Sequence, residues 1–155
     1  MVPATRRSIV TWWTSPEEQC MPAHTGLRVF IIDDNEMTRG LLRVIIQGDY
    51  YDVVGEAASA ESAMSRLRSQ PVDIICLDVV MPDGDGLSLL NWIKDKQPQA
   101  EVLMVTASTD RTTVEQALRN GAKGYIVKPF NPGTVMTTLD KIAAQIKAQR
   151  ATARA

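Results

Sequence analysis

Five side chains able to do chemistry each follow directly on a short apolar, β-branched run. Asp33 and Asp34 follow Leu27–Ile32, Asp78 follows Val72–Leu77, Thr106 follows Glu101–Val105, and Lys128 follows Lys123–Val127. If those runs are parallel strands of one sheet, their carboxyl ends lie together, where loops and helix N-termini converge to form sites. Three carboxylates and one ammonium then share a net charge of −2. Two unit charges ~4 Å apart repel by roughly 4 kcal/mol at an effective dielectric near 20, so such a cluster resists standing empty. One divalent cation neutralises it, and hard oxygen ligands with retained water favour Mg²⁺. The cation and Lys128 can both face a phosphoryl group, whose charge spreads over its oxygens during transfer. Asp78 alone is a weak nucleophile, but a phosphoryl donor held in line against it needs little beyond positioning. Thr106 offers a hydroxyl, and Ala107 leaves room for close approach. Met81-Pro82-Asp83-Gly84-Asp85-Gly86 is tight-turn chemistry leading into a helix. Lys128-Pro129 is a candidate cis peptide that would aim the lysine inward.

The elements needed to hold these groups are legible. A fifth run, Tyr51–Ala57, completes the strand set, and stretches with apolar residues at helical spacing lie between the runs. The last is clearest, with Val135, Leu139, Ile142, Ala143 and Ile146 on one stripe. Asn35, Ser59, Asp110 and Asn131 precede helical stretches as N-caps, and Pro132 takes a permitted first-turn position. Gly48 and Gly121 follow helices, where a left-handed residue is wanted. Five strand–helix pairs imply crossover connections and a parallel sheet covered on both faces, and runs apolar nearly throughout agree with that burial. The expectation is one α/β domain with a doubly wound, five-stranded parallel sheet.

Composition narrows the function classes. The chain has 155 residues, 45% of them hydrophobic, enough for one domain with a real core. Residues 27–140 hold 11 basic and 16 acidic side chains, a net −5, which makes a poor nucleic-acid surface. The last fifteen residues carry Lys141, Lys147, Arg150 and Arg154 and no acid, read as a solvated helix end. Cys20 and Cys76 form neither a disulfide framework nor a metal-ligand spacing, and Cys76 reads as a core residue, so reduced, cytoplasmic conditions fit. No apolar run approaches membrane-span length. Arg6-Arg7 opens like a twin-arginine export signal, but Glu17 and Glu18 arrive before any apolar stretch, so export is rejected. Residues 1–26, with Trp12-Trp13 and His24, stand outside the strand–helix alternation and read as a flexible extension.

In this order the motifs are highly specific. From about Leu27 to about Lys147 the chain resembles the receiver domain of two-component response regulators, in particular the single-domain, chemotaxis-type members. The matching elements are Ile31-Ile32-Asp33-Asp34-Asn35, the run from Leu77 through Asp78 to Gly86, Val105-Thr106-Ala107, and Gly121-Ala122-Lys123-Gly124-Tyr125 running into Lys128-Pro129-Phe130. The resemblance implies a flavodoxin-like (βα)5 receiver fold over 27–147 with a short tail at 148–155. It implies Asp78 as the phosphorylation site. It further implies Mg²⁺ held by Asp33, Asp34, Asp78 and the Val80 carbonyl, Thr106 bonding the attached phosphoryl group, and Lys128 pairing with a phosphoryl oxygen. Thr106 and Tyr125 match the family's switch pair, which signals through the fourth helix, fifth strand and fifth helix, roughly residues 110–145. Val80 and Ser108 occupy the two positions that tune phosphoryl lifetime, and an apolar Val80 cannot orient an attacking water, so slow self-dephosphorylation is expected.

The implied partners are a histidine kinase or histidine phosphotransfer protein and a separate output protein, with no direct nucleic acid or membrane contact. A phosphorylation-dependent homodimer is left open. No output domain is expected, because only a short Ala/Arg-rich tail follows Lys147. Taken singly, each residue has an ordinary role: solvated acids at a strand end, a turn acceptor, a capping threonine, a surface lysine, a packed tyrosine. Two rival readings are weaker. A metal-dependent phosphatase with an aspartyl nucleophile needs a general acid two residues on, where this chain has Val80. A degenerate, phosphate-independent docking module does not explain why every acidic, hydroxyl and lysine position is intact. The chain is therefore expected to be no turnover enzyme, catalysing only its own phosphorylation and dephosphorylation.

Overall fold

The computed structural model describes residues 26–81, 84–107 and 110–154. Five strands and five helices alternate: β1 (Leu27–Ile32), α1 (Glu36–Ile46), β2 (Tyr51–Ala57), α2 (Ala60–Leu67), β3 (Ile74–Leu77), α3 (Gly86–Lys96), β4 (Glu101–Thr106), α4 (Arg111–Arg119), β5 (Ala122–Val127) and α5 (Pro132–Arg154). The strands form one parallel sheet in the order β2-β1-β3-β4-β5, the flavodoxin-like arrangement. The chain winds outward from β1 to β2, then returns to the other side of β1 for β3. The crevice this reversal leaves lies beyond the carboxyl ends of β1 and β3, which carry Asp33 and Asp78.

Side-chain alternation divides the core in two. Phe30, Ile32, Ile75, Leu77, Val102 and Met104 pack with Ala63, Leu67, Leu90, Ile93 and Ala117, so α2, α3 and α4 cover one face. Val29, Ile31, Ile74, Cys76, Leu103, Val105 and Ile126 pack with Leu42, Ile46, Val135, Leu139 and Ile142, so α1 and α5 cover the other. Central β3 and β4 are buried throughout, while edge strands β2 and β5 are only partly covered. That is the burial a doubly covered parallel sheet requires. Trp92 packs against the first of these faces, and burial pushes the Cys76 thiol up to about 12, consistent with a core role.

All four N-caps form. The side chains of Asn35, Ser59, Asp110 and Asn131 accept from the backbone N–H groups of Thr38, Ser62, Thr113 and Thr134 at 3.1, 3.1, 3.3 and 2.8 Å. Gly121 is left-handed, with φ +113°, but Gly48 is not. Helix α1 ends instead on Gln47, whose backbone N–H bonds to the Arg43 carbonyl, while its side chain reaches β2. Where tight-turn chemistry is expected, Val80–Met81 pairs antiparallel with Gly84–Asp85 as a small ribbon. Residues 1–25, with Cys20 and the Trp12-Trp13 pair, and Ser108 lie outside the described residues.

The largest departure from expectation is at the C-terminal end. Helix α5 continues to Arg154, past the expected limit near residue 147. A long-range contact docks this stretch of the helix. Asp73, buried between α2 and β3, accepts from the Arg28 backbone N–H at 2.7 Å and from the Arg28 guanidinium at 3.3 Å. Its other oxygen pairs with Arg150 of α5. Arg150 is thus a docked helix residue and not part of a solvated basic end.

Burial opposes ionisation of Asp73, but its bonds to Arg28 and Arg150 outweigh that and hold its carboxyl below the usual range. A depressed folded pKa contributes stability above the unfolded carboxylate value, near 3.9, and loses it as pH falls through the folded value. Asp73→Asn is expected to lower the urea unfolding midpoint at pH 7 by an amount equivalent to about 1–3 kcal/mol. The gap to wild type should hold above about pH 5 and narrow below pH 4. A gap independent of pH would remove the carboxylate's charge from the account.

Candidate functional site

The sheet places each acid by backbone bonds that continue past the strand ends. Asp33 N–H bonds to the Ala57 carbonyl at 3.1 Å, and Asp78 N–H to the Ile32 carbonyl at 3.0 Å. The Lys128 N–H bonds to the Thr106 carbonyl at 2.9 Å, tying the ends of β4 and β5 together. These links fix the carboxyl ends of β2, β1 and β3 relative to one another, and those of β4 and β5 as a pair.

The side chains then meet. One carboxylate oxygen from each of Asp33, Asp34 and Asp78 lies within 4.8 Å of the others; Asp33 and Asp78 are buried and Asp34 is exposed. Lys128 Nζ sits 2.7 Å from Asp33 Oδ2 and 3.0 Å from Asp78 Oδ2. Asp78 Oδ1 accepts the Val80 backbone N–H at 3.0 Å, so both oxygens of this carboxylate are held. Asp33 Oδ1 accepts the Asn35 N–H at 2.8 Å. Asp33 Oδ2 differs: it is buried, and its one partner among the described residues is the Lys128 ammonium, 2.7 Å away and shared with Asp78.

Charge follows from burial and partners. Burial raises the Asp33 carboxyl above its usual range, with the Asp78 charge adding to it, and the Lys128 and Asn35 bonds only partly offset this. Burial alone would lower Lys128, but its contacts with Asp33 and Asp78 raise it above its ordinary value, so it is firmly cationic. Three carboxylates against one ammonium leave the cluster short of positive charge. The surplus of negative charge and an all-oxygen ligand set both fit a hard divalent cation. Asp33, Asp34 and Asp78 are the side chains that could hold it.

Among the described residues, the three acids, Val80, Thr106 and Lys128 fall at this end of the sheet, and Tyr125 lies two residues before the end of β5. Thr106 is buried at the tip of β4, next to Val127 in the β5 register. Val80 takes part through its backbone, its side chain being 63% exposed. Tyr125 is on β5 with its ring 43% exposed. The Lys128-Pro129 bond is cis. Three contributors were not read as site residues. Asn35 was read only as a cap, yet its own N–H holds Asp33. Arg39 donates to the Asp33 carbonyl at 2.7 Å, and no motif marks it. Gly86 is required by close approach: a Cβ there would lie 2.5 Å from Val79 Cα and 2.6 Å from Val79 O, displacing the loop that follows Asp78.

Comparison with known proteins agrees with this geometry. The family model for the response regulator receiver domain matches residues 29–140. The chain belongs to the response regulator receiver family. The chemotaxis protein CheY of Thermotoga maritima is 34% identical over 118 residues, covering 76% of this chain and 98% of that protein. CheY of Listeria monocytogenes is 36% identical over 117 residues, with the same coverage of each. Among solved structures, a CheY-like receiver domain protein from Methanospirillum hungatei superposes with a TM-score of 0.70 at 25% identity, covering 83% of this chain and 99% of that one. A receiver in the CheX–CheY–BeF3–Mg²⁺ complex from Borrelia burgdorferi superposes with a TM-score of 0.71 at 30% identity, covering 75% and 88%. The receiver fold and the acidic cluster at its sheet end are therefore established together.

Because burial and the neighbouring Asp78 charge both oppose ionisation of Asp33, Asp33→Asn is expected to stabilise the metal-free receiver. The thermal midpoint at pH 7 with chelator should rise by on the order of 3 °C, the shift that about 1 kcal/mol produces in a domain of this size. A lower midpoint would show that the Lys128 contact stabilises ionised Asp33 by more than burial costs.

Proposed function

We propose that this receiver is a phosphorylation switch: Asp78 accepts a phosphoryl group from a phosphohistidine on a histidine kinase or histidine phosphotransfer protein. The observation that carries the reading is the Asp78 carboxylate, fixed by the Val80 N–H and Lys128, with Asp33 and Asp34 beside it. An oxygen of Asp78 attacks phosphorus as the phosphorus–nitrogen bond of the donor breaks, giving an acyl phosphate and returning the imidazole. Lys128 is placed to follow the phosphoryl oxygens, since it already contacts the carboxylate they join. When bound by Asp33, Asp34, Asp78 and the Val80 carbonyl, Mg²⁺ would supply positive charge against the transferring group.

In this reading the Thr106 hydroxyl bonds the attached group, and Tyr125, with its ring outward, turns inward in response. The changed surface is that of α4, β5 and α5. Output passes to a separate partner protein, in keeping with the high coverage of the CheY relatives, and with no direct nucleic-acid contact by the acidic body. A protein donor has a surface to grip beside the acids: Met37, Leu41 and Val44 are exposed at i, i+4 and i+7 along α1. No helix of the described residues is long and apolar enough to cross a membrane, and the setting we propose is cytoplasmic. The protein is no turnover enzyme; it catalyses only its own phosphorylation and dephosphorylation.

Incubation with a small phosphodonor and Mg²⁺ is expected to label wild type at an acid-stable, base-labile acyl phosphate. Asp78→Asn and chelator should each abolish the label. Labelling that survives both would place the acceptor elsewhere, and steady turnover of a generic phosphomonoester would favour the phosphatase reading. Phosphotransfer profiling against histidine kinases of the source organism, comparing wild type with Asp78→Asn, then assigns the donor.

The exposed, apolar Val80 side chain gives an attacking water nothing to bond. The isolated phosphoprotein is expected to persist for minutes or longer, and Val80→Asn to shorten its half-life by about tenfold, less than the roughly 10²-fold or more of a general base because an amide only orients the water. A wild-type half-life of seconds would contradict this role for Val80.

A further inference from the structure

We infer that Arg39 is a positioning residue for the cation site, acting through the peptide that joins its two early acids. The inference rests on the proposal that Asp33 and Asp34 hold a divalent cation. Arg39 lies in the first turn of α1, its backbone N–H on the Asn35 carbonyl at 3.0 Å. Its guanidinium folds back over that turn. One nitrogen, Nη1, donates to the Asp33 carbonyl oxygen at 2.7 Å, and Nε donates to Glu56 Oε1 on β2 at 3.2 Å. Only 16% of the side chain is exposed.

The Asp33 carbonyl belongs to the Asp33–Asp34 peptide unit, and a planar peptide moves as a body. Holding that oxygen therefore sets how the buried Asp33 and the exposed Asp34 are turned relative to each other. The neighbouring contacts hold other atoms of Asp33: Ala57 holds its N–H, and the Asn35 N–H holds its side chain. Glu56 in turn fixes the guanidinium, and Arg43 pairs with the other Glu56 oxygen. The result is a chain of contacts from β2 through Glu56 and Arg39 to the acids. A planar donor fork can serve Asp33 and Glu56 together, whereas a lysine ammonium is a single point donor on a flexible stem.

Charge and position make opposite demands here, which makes the inference testable. As a nearby cation, Arg39 repels Mg²⁺, so removing its charge would tighten binding if charge were all that mattered. As a clamp it preorganises the ligands, so removing it weakens binding.

The test is Mg²⁺ binding by calorimetry to the full chain, with thermal unfolding as a check on folding, for wild type, Arg39→Met and Arg39→Lys. The dissociation constant is expected to rise about tenfold in Arg39→Met, the low end of losses for groups that orient metal ligands, and by a smaller factor in Arg39→Lys. Small-donor labelling should need correspondingly more Mg²⁺ to reach half its maximal rate, so the defect is read in Mg²⁺ dependence. Should Arg39→Met fail to fold, Arg39→Lys decides, because it keeps the charge: unchanged affinity overturns the inference. Tighter binding by Arg39→Met with unchanged binding by Arg39→Lys would likewise overturn it, leaving a charge effect only. If wild type itself binds no Mg²⁺, the cation reading fails and this inference with it, an outcome distinct from equal binding by all three proteins.

Discussion

The surplus of negative charge at one end of the sheet organises much of what this domain does. Three carboxylates converge within 4.8 Å of one another, and a single ammonium, Lys128, is shared between the two buried ones. In water such an arrangement would relax by turning side chains outward. Here the backbone forbids it for Asp33 and Asp78, which are tethered by their own N–H groups to neighbouring strands and buried. The fold thus holds an electrostatic imbalance in place, and an external cation or an arriving phosphoryl group can draw on it.

Sheet topology makes the imbalance unavoidable. Because β1 and β3 are neighbours at the point where the chain reverses its winding, the residues that follow them must lie side by side. The β4–β5 pairing then brings Thr106 and Lys128 to the same rim. Burying the central strands on both faces leaves little freedom to adjust by sliding, since a shift of one residue would turn core side chains toward the wrong layer. Core packing and site geometry are the same constraint seen from two sides. Gly86 shows this locally, where the approach of α3 to Val79 leaves no room for a Cβ.

Much of this was legible in the sequence because its signals are local. A strand buried on both faces is an apolar run, a cap is a polar residue at a fixed offset, and a group at a strand end is the residue after the run. All five strands and all four caps were readable on that basis, and so were the acids, Thr106 and Lys128. Long-range contacts were not readable. Near its end α5 is docked where Arg150 meets Asp73, 77 residues away, and composition alone makes the same segment a solvated helix end. Gly48 looked like a left-handed cap, but Gln47 reaching across to Val53 ends α1 differently. Arg39 carries no motif, because its importance lies in a carbonyl that only the folded chain brings within reach.

The central claim is that one divalent cation is held where Asp33, Asp34 and Asp78 converge. Anomalous diffraction from a crystal soaked in Mn²⁺, a spectroscopic stand-in for Mg²⁺, tests it most directly. The account predicts one dominant anomalous peak in contact with those three carboxylates. A peak elsewhere on the surface, with the cluster vacant and Lys128 still bridging Asp33 and Asp78, would contradict it.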